Sequence, residues 1–163
     1  MRIVGLDAGL LATGYGVVEA RHNCFEALHW GVWRTNNIDG LDNKLKFFYQ
    51  QLKGLLTLYS PNAIAFEGIF QFKNPRSAFM LAHVRGALIA CAAEFELEVV
   101  EVSPNRAKRA LTGYGRASKE QVAYAINVLT KISQPLPADA SDAIGVAIAA
   151  ALEIEAKKMV CTT

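Results

Sequence analysis

Two acidic residues stand where an apolar, strand-like run of the sequence ends. Asp7 follows the run Ile3 to Leu6, which has the composition of a buried strand, and Glu67 follows a second short apolar run at residues 63–66. A carboxylate in such a place is costly unless it meets a cation or several hydrogen-bond donors. Asp7 taken alone could equally cap a strand-to-turn step, as aspartate often does.

Two further acids, Asp139 and Asp142, lie three residues apart where the last helix is expected to begin. This spacing places both carboxylates on one helix face, and small residues around them allow that end of the helix to lie close to a sheet. For this pair alone, interaction with the helix dipole is a sufficient explanation, worth roughly 0.3 to 1 kcal/mol each. With the two strand-end acids added, the set indicates a two-metal site for attack of water on a phosphodiester.

Basic residues cluster around the glycine loop Thr112–Gly115, close to the predicted start of a helix. They are Arg106, Lys108, Arg109, Arg116 and Lys119. Their grouping suits contacts to DNA phosphates, made by the side chains and by free backbone N–H groups. An ordinary solvated basic face is the alternative.

Two phenylalanines, Phe70 and Phe72, follow Glu67 closely. An aromatic ring near catalytic acids can stack on an unpaired base, for roughly 1 to 3 kcal/mol per base, although burial in the core is the usual fate of phenylalanine. We expect Phe70 to point outward, and the pattern does not decide for Phe72. We count Lys73 and Arg76, which come next, among the candidate DNA contacts.

Composition indicates one globular domain spanning residues 1–163, of which 52% are hydrophobic and 20% charged. Setting aside the four acids leaves 11 acidic residues against 17 basic ones, a net charge of +6, which suits a polyanionic partner. Three cysteines without C-x-x-C spacing, no signal-peptide pattern and no apolar run long enough to span a membrane predict a cytoplasmic protein.

The hydrophobic periodicity predicts the order β-β-β-α-β-α-β-α-α-α. The strands fall at about residues 2–7, 14–20, 25–34, 63–66 and 98–102, and the helices at 41–59, 75–94, after Ser103-Pro104, from Ser118 to about 131, and at 139–158. The first three strands read as an antiparallel meander. We therefore predict an α/β fold with a mixed five-stranded sheet flanked by helices.

The helix predicted from Ser77 to Glu94 is apolar nearly all round. A helix without a polar face is buried on both sides. One side could pack on the sheet and the other on a second subunit, which would make a homodimer with two active sites. Complete burial under other helices of the same chain is the alternative.

Several motifs of the sequence occur together in a known family. They are Gly5-Leu6-Asp7-Ala8-Gly9, residues 13–18, residues 65–70, Lys73-Asn74, Arg85-Gly86 and residues 138–143. In content and order they closely resemble the RuvC family of bacterial Holliday-junction resolvases. The resemblance implies a ribonuclease H-like fold and a homodimer that resolves four-way DNA junctions by symmetric paired nicks, with two Mg²⁺ or Mn²⁺ ions per active site. It also implies a branch-migration helicase as a partner.

The resemblance assigns roles to individual residues. Asp7, Glu67, Asp139 and Asp142 correspond to the catalytic metal ligands, Phe70 to an aromatic that stacks near the crossover, and Lys108 and Lys119 to basic groups near the cut phosphate, with Lys119 counted as catalytic. The chain departs from the family at Ala8, where proline is usual. The change removes a constraint on the turn after Asp7 and no ligand.

Two other functions are compatible with parts of the pattern. Actin-like ATPases and sugar kinases also open with a strand, an aspartate and a hairpin, but they need two such domains, for which 163 residues are too few. A non-catalytic junction-binding protein of the same fold is the remaining alternative, and the presence of all four acids argues against it.

Overall fold

Three antiparallel strands form the first part of the sheet. In the computed structural model, which describes residues 1–21, 24–68 and 74–160, they are β1 (Arg2–Asp7), β2 (Ala12–Arg21) and β3 (Cys24–Arg34). β2 pairs with β1 on one side and with β3 on the other, and its register to β3 shifts between Val17 and Val18. The predicted meander is confirmed, with β2 beginning two residues earlier than its sequence pattern indicated.

Two parallel strands complete the sheet on the other side of β1. β4 (Ala63–Glu67) pairs with β1, and β5 (Glu98–Val102) pairs with β4, so the strand order is β3-β2-β1-β4-β5. Parallel strands need long crossovers, and these are the helices α1 (Leu41–Tyr59) and α2 (Pro75–Glu94). The predicted mixed five-stranded sheet is therefore confirmed, with β1 at its centre.

Three consecutive helices follow the sheet: α3 (Pro104–Thr112), α4 (Lys119–Thr130) and α5 (Ala138–Val160). Their ends follow local signals in the sequence. The Ser103 side chain accepts a hydrogen bond from the backbone N–H of Arg106, and Ser118 forms a capping box with Gln121, as their spacing predicts. Gly113, with a φ of 76°, ends α3 in the left-handed conformation that glycine adopts readily.

The sheet separates two hydrophobic cores, because successive residues of a strand face opposite sides. Val4 and Leu6 of β1 point toward α1 and α2. Ile3 of β1 and Ala65 of β4 point toward α3, α4 and α5. Asp7 lies four residues after Ile3, and Glu67 lies two residues after Ala65. The side chains of both acids are therefore on the side of the sheet that α5 covers.

Helix α2 is buried on one face only. Val84, Leu88 and Cys91 are fully buried, whereas Phe79 on the outer face is 64% exposed, so the described residues do not cover that face. Complete burial of α2 within the described chain is therefore excluded. Among the described residues, α2 is also the one helix that is long and apolar enough to cross a membrane by length and composition alone.

Candidate active site

Asp7 and Glu67 lie side by side at the carboxyl ends of two neighbouring strands. β1 and β4 are parallel, and their register pairs Leu6 with Phe66, so Asp7 and Glu67 are the next residues of the two strands. Both are partly buried. The sequence-based expectation that these two acids meet at the edge of the sheet agrees with this pairing.

Helix α5 brings the other two acids to the same edge by an unusually close approach to the sheet. A Cβ atom added to Gly14, the β2 residue paired with Asp7, would lie 2.0 Å from the Asp139 carbonyl oxygen. A Cβ on Gly5 would lie 2.0 Å from the carbonyl oxygen of Ala143. Only glycine at these positions of β1 and β2 allows the first turns of α5 to rest on the strand backbones.

The loop after Asp7 is held by two buried threonines. The Thr13 hydroxyl donates to the Gly9 carbonyl at 2.9 Å and accepts from the Gly9 N–H at 3.3 Å. The Thr35 hydroxyl donates to the Leu10 carbonyl at 2.6 Å. Side-chain hydrogen bonds thus fix the turn that follows Asp7, where Ala8 replaces the proline usual in the family that the sequence resembles.

Burial and the charges of neighbouring carboxylates raise the pKa values of Asp7, Glu67 and Asp142. Burial, followed by the nearby charges of Asp142, Glu67 and Asp139, raises the pKa of Asp7 from 3.8 to about 7. Burial and then Asp142 raise the pKa of Glu67. Burial is likewise the main cause of the raised pKa of Asp142. The site therefore favours either protons or cations among these acids.

Two lysines oppose this repulsion from the neighbouring helices. Lys119 at the start of α4 counteracts the rise in the pKa values of Asp7, Glu67 and Asp142, and Lys108 of α3 does so for Glu67 and Asp142. Both lysines line one cavity of ≈ 310 Å³ together with Glu67 and Asp142. A negatively charged group entering this cavity meets both ammonium groups beside the acids.

The donor set fits hard divalent cations, although its side chains are not in coordination geometry. Within residues 1–21, 24–68 and 74–160, no three His, Cys, Asp or Glu side chains lie close enough together to hold a metal ion. Carboxylate oxygens are the ligands that Mg²⁺ and Mn²⁺ prefer, and burial together with neighbouring carboxylates raises the pKa values of three of these acids. Side-chain rotations of Asp and Glu would be needed to close the shell.

The remaining predicted DNA contacts have mixed outcomes. Phe70, Phe72 and Lys73 lie outside the described residues. Arg76 lines a separate groove with residues 8–12, beside the loop that follows Asp7. Arg109 and Arg116 are exposed near the glycine loop, and their DNA contacts stay predictions.

Arg106 belongs to the same predicted basic cluster. Its guanidinium lies 3.7 Å from a carboxylate oxygen of Glu153 on α5. This ion pair satisfies part of its charge within the protein, in contrast to the lysines that face the acids.

The most informative residue that the sequence-based site assignment left out is Arg85. Its side chain extends from α2 to the carboxyl ends of β4 and β5 and donates hydrogen bonds to the Glu67 carbonyl and the Glu101 carboxylate, both at 2.7 Å. These contacts join residues 16 and 18 positions apart along the chain. In the sequence, the only indication of this role for Arg85 was its occurrence in the family motif Arg85-Gly86.

Comparison with known proteins agrees with this geometry. The family model described as crossover junction endodeoxyribonuclease RuvC matches residues 3–150. The RuvC proteins of Natranaerobius thermophilus and Alkaliphilus metalliredigens are each 37% identical over 149 residues, covering 91% of this chain and 92% and 91% of those proteins.

A solved structure extends the likeness to three dimensions. Thermus thermophilus RuvC in complex with Holliday junction substrate superimposes with a TM-score of 0.91 at 26% identity, covering 94% of both chains. The predicted ribonuclease H-like fold is thereby confirmed. Since the family model matches most of the chain and the relatives cover it almost end to end, this protein belongs to the RuvC family of crossover junction endodeoxyribonucleases.

Proposed function

We propose that this chain is a structure-specific endonuclease that resolves four-way DNA junctions by symmetric paired nicks during homologous recombination and repair. The observation that carries the proposal is the convergence of Asp7, Glu67, Asp139 and Asp142 at one edge of the sheet, beside Lys108 and Lys119, in a member of the RuvC family. Its relative from Thermus thermophilus has been solved with a Holliday junction substrate.

The four acids would hold the divalent cations. We propose Mg²⁺ or Mn²⁺, two ions per site, with Asp7 and Glu67 presented by the rigid strand ends and Asp139 and Asp142 by the first two turns of α5. The chemistry that such ions supply when bound is Lewis-acid activation of the attacking water and of the leaving 3′-oxygen. The raised pKa of Asp7 supports this role, because a cation in place of a proton would relieve the repulsion.

The protein's own cations would orient the phosphate. Lys119 begins α4, and Lys108 projects from α3 into the same cavity, so both can contact the oxygens of a phosphodiester placed over Glu67 and Asp142. Their positive charge would stabilise the charge that develops on the phosphate during cleavage. Phe70, Phe72, Lys73, Arg76, Arg109 and Arg116 remain the proposed contacts to the rest of the junction.

We further propose a homodimer that forms through the outer face of α2. The described chain leaves exposed on this face the small or apolar residues Phe79, Ala82, Gly86, Ala90 and Ala93, together with His83. Small residues allow two helices to approach closely, and a two-fold dimer would present two active sites to a substrate that is itself roughly two-fold.

The wider setting is proposed on the family relationship. The chain would act as a single nuclease domain, residues 1–163, in the cytoplasm, where its DNA substrate is accessible. A branch-migration helicase would deliver the junction, and no described surface is assigned to that partner.

The test is a nicking assay on a synthetic four-way junction with and without Mg²⁺. We expect the wild-type protein to make paired symmetric cuts only with the ion. Asp7→Asn and Glu67→Gln should abolish cutting while leaving junction affinity unchanged or improved, because each removes a negative charge that faces the phosphates. Asp39→Asn, which changes an exposed aspartate before α1, is the matched control and should cut normally.

Two outcomes would contradict the proposal. Cutting by Asp7→Asn at the wild-type rate would refute the role of the acids. A wild-type protein that binds junctions tightly but never nicks them, with either Mg²⁺ or Mn²⁺, would favour the non-catalytic junction-binding alternative.

A further inference from the structure

Arg85 is the one charged side chain that is buried in the described part of the chain. It lies in the middle of α2 and is 6% exposed. Removing a guanidinium from water is costly unless its N–H groups are hydrogen-bonded and its charge is compensated. The burial of Arg85 therefore requires a structural explanation, whereas a solvent-exposed arginine would need none.

The guanidinium is held by three groups at the ends of β4 and β5. Nη1 donates to the Glu67 carbonyl at 2.7 Å, and Nη2 donates to the Glu101 carboxylate at 2.7 Å. The guanidinium carbon lies 4.8 Å from the centre of the Phe66 ring. The Glu101 side chain is 63% exposed, so this carboxylate anchors the arginine from the solvent side of the contact.

Arg85 approaches Glu67 from the side of the sheet opposite to the active site. Phe66 packs in the core under α1 and α2, and its register partner on β5 is Glu101. The side chain of Glu67 points to the other face, toward Asp142 and the two lysines. The Arg85 guanidinium therefore binds the backbone of Glu67, the last β4 residue, on one side of the sheet. The Glu67 carboxylate faces the other acids on the opposite side.

The peptide group that joins Glu67 to Gly68 is held at both of its polar ends. The sheet pairing continues one residue beyond β4, because the Gly68 N–H donates to the Val102 carbonyl at 2.8 Å. The Glu67 carbonyl accepts from a side chain instead. Without that donor, the Gly68 N–H alone would hold this peptide group, and a ligand must be held to within about 0.5 Å to be effective.

We propose that Arg85 is a positioning residue for Glu67, fixing the backbone at the end of β4 so that its carboxylate is presented to the divalent cations. This inference rests on the proposed function, since it assigns a metal-ligating role to Glu67. It adds a contribution from α2, whose opposite face we propose as the dimer interface. Because Arg85 is buried behind the sheet, it would contact neither DNA nor ion, so its loss should weaken metal affinity and leave junction affinity unchanged.

The test compares Arg85→Met and Arg85→Lys with Arg2→Met. Arg2 is a close match at the opposite end of the sheet: it too donates to a backbone carbonyl, that of Tyr59, and to a carboxylate, that of Glu19. Each protein is measured at a temperature where circular dichroism shows it folded. Mn²⁺ affinity is measured by calorimetry without DNA, junction affinity by fluorescence anisotropy without divalent ions, and single-turnover cleavage as a function of Mn²⁺ concentration.

We expect Arg85→Met to bind Mn²⁺ about 10 to 100-fold more weakly, the usual effect of losing a group that orients a ligand. Its junction affinity should stay within about twofold of wild type, and excess Mn²⁺ should recover part of its cleavage. Arg85→Lys can reach only one of the two acceptors, so its Mn²⁺ affinity should lie between those of wild type and Arg85→Met. It provides the test if Arg85→Met does not fold. Arg2→Met should lose stability without losing Mn²⁺ affinity.

Two results are decisive and distinct. If the wild-type protein binds Mn²⁺ and cuts junctions while both Arg85 variants bind Mn²⁺ as Arg2→Met does, the positioning role is refuted and the proposed function stands. If the wild-type protein neither binds Mn²⁺ nor cuts, the proposed function itself fails.

Discussion

Asp7 is partly buried and faces three other acids, so in the metal-free protein its negative charge opposes folding. Burial and the charges of Asp142, Glu67 and Asp139 raise its pKa, and Lys119 only partly offsets them. The unfolded chain holds Asp7 near its ordinary pKa of 3.8, whereas the folded chain holds it near 7. Between these values the folded state binds more protons, and its stability therefore falls as the pH rises.

Asp7→Asn should consequently stabilise the metal-free protein at pH 8 and have little effect near pH 3. A neutral side chain removes the repulsion at high pH, and below the unfolded pKa the wild-type aspartate is already protonated in both states. We expect a gain of about 1 to 3 kcal/mol at pH 8, below the full value of about 1.4 kcal/mol per pKa unit because the site is partly solvated.

Thermal unfolding in the presence of a chelator measures this gain, at roughly 2 to 4 °C per kcal/mol for a chain of this size. Asp39→Asn, the exposed control, should show no comparable dependence on pH. A melting temperature of Asp7→Asn below that of wild type at pH 8 would show that Asp7 makes favourable contacts that outweigh the repulsion.

At the scale of the elements, the site depends on how closely α5 rests on β1 and β2. Gly14 and Gly5 provide that space, and their added Cβ atoms would collide with backbone atoms of α5, which cannot rotate away as a side chain can. These two glycines thus allow the start of α5, which carries Asp139 and Asp142, to lie against the sheet.

Gly14→Ala should therefore lower the cleavage rate severely while destabilising the fold only moderately. The new methyl group would push the start of α5 away from β2, at a cost of about 1 to 3 kcal/mol in stability. A displacement of about 1 Å at Asp139 and Asp142 should lower the single-turnover cleavage rate about 100-fold at a temperature where the protein is folded.

Gly31→Ala is the matched control for that experiment. Its added Cβ would meet the Tyr15 side chain, with the hydroxyl 2.7 Å and two ring carbons 3.0 and 3.1 Å away, and Gly31 lies on β3 at the edge of the sheet. It should lose some stability and keep its cleavage rate. Equal losses of cleavage in the two variants would indicate that sheet damage, rather than the approach of α5, limits catalysis.

The element order, and the places of the four acids at the ends of strands and the start of a helix, were predictable from the sequence because both follow from local patterns. Strand alternation, helical periodicity and the caps at Ser103 and Ser118 act over a few residues, and the helix and strand bounds agree with them closely. The acids at the strand ends were visible for the same reason. Their meeting could be expected only on the condition that β1 and β4 are neighbours.

Contacts between distant segments could not be predicted in the same way. The roles of Gly5 and Gly14 depend on α5, more than a hundred residues later, and the role of Arg85 depends on the ends of β4 and β5. The uniform apolar composition of α2 left both of its faces open to burial, because periodicity distinguishes faces only where polar residues mark one of them.

At the scale of the whole molecule, the exposed face of α2 is the surface whose occupant matters most to the proposed function. Gly86 lies in the middle of that face, and a Cβ added to it meets no atom within 4 Å. A larger residue is thus sterically compatible with the described residues, so a loss of dimerisation would point to a contact made outside them.

Gly86→Arg should accordingly dissociate the proposed homodimer without unfolding the protein. An arginine placed between two closely packed helices would be buried without a counter-charge, which costs about 3 kcal/mol or more and weakens the dimer by at least about 100-fold. Analytical ultracentrifugation should find wild type as a dimer and Gly86→Arg as a monomer. On four-way junctions the variant should lose paired cuts in favour of rare single nicks.

Gly54→Arg on α1 makes the same substitution at another exposed helix position with open space around it. Both variants replace a helix-interior glycine, so both should gain up to about 1 kcal/mol in helix stability, and only their surroundings differ. Gly54→Arg should remain a dimer with paired cutting. If Gly86→Arg also stays dimeric and cuts both strands, the two active sites must be brought together through a different face of the molecule, and α2 must be exposed for another reason.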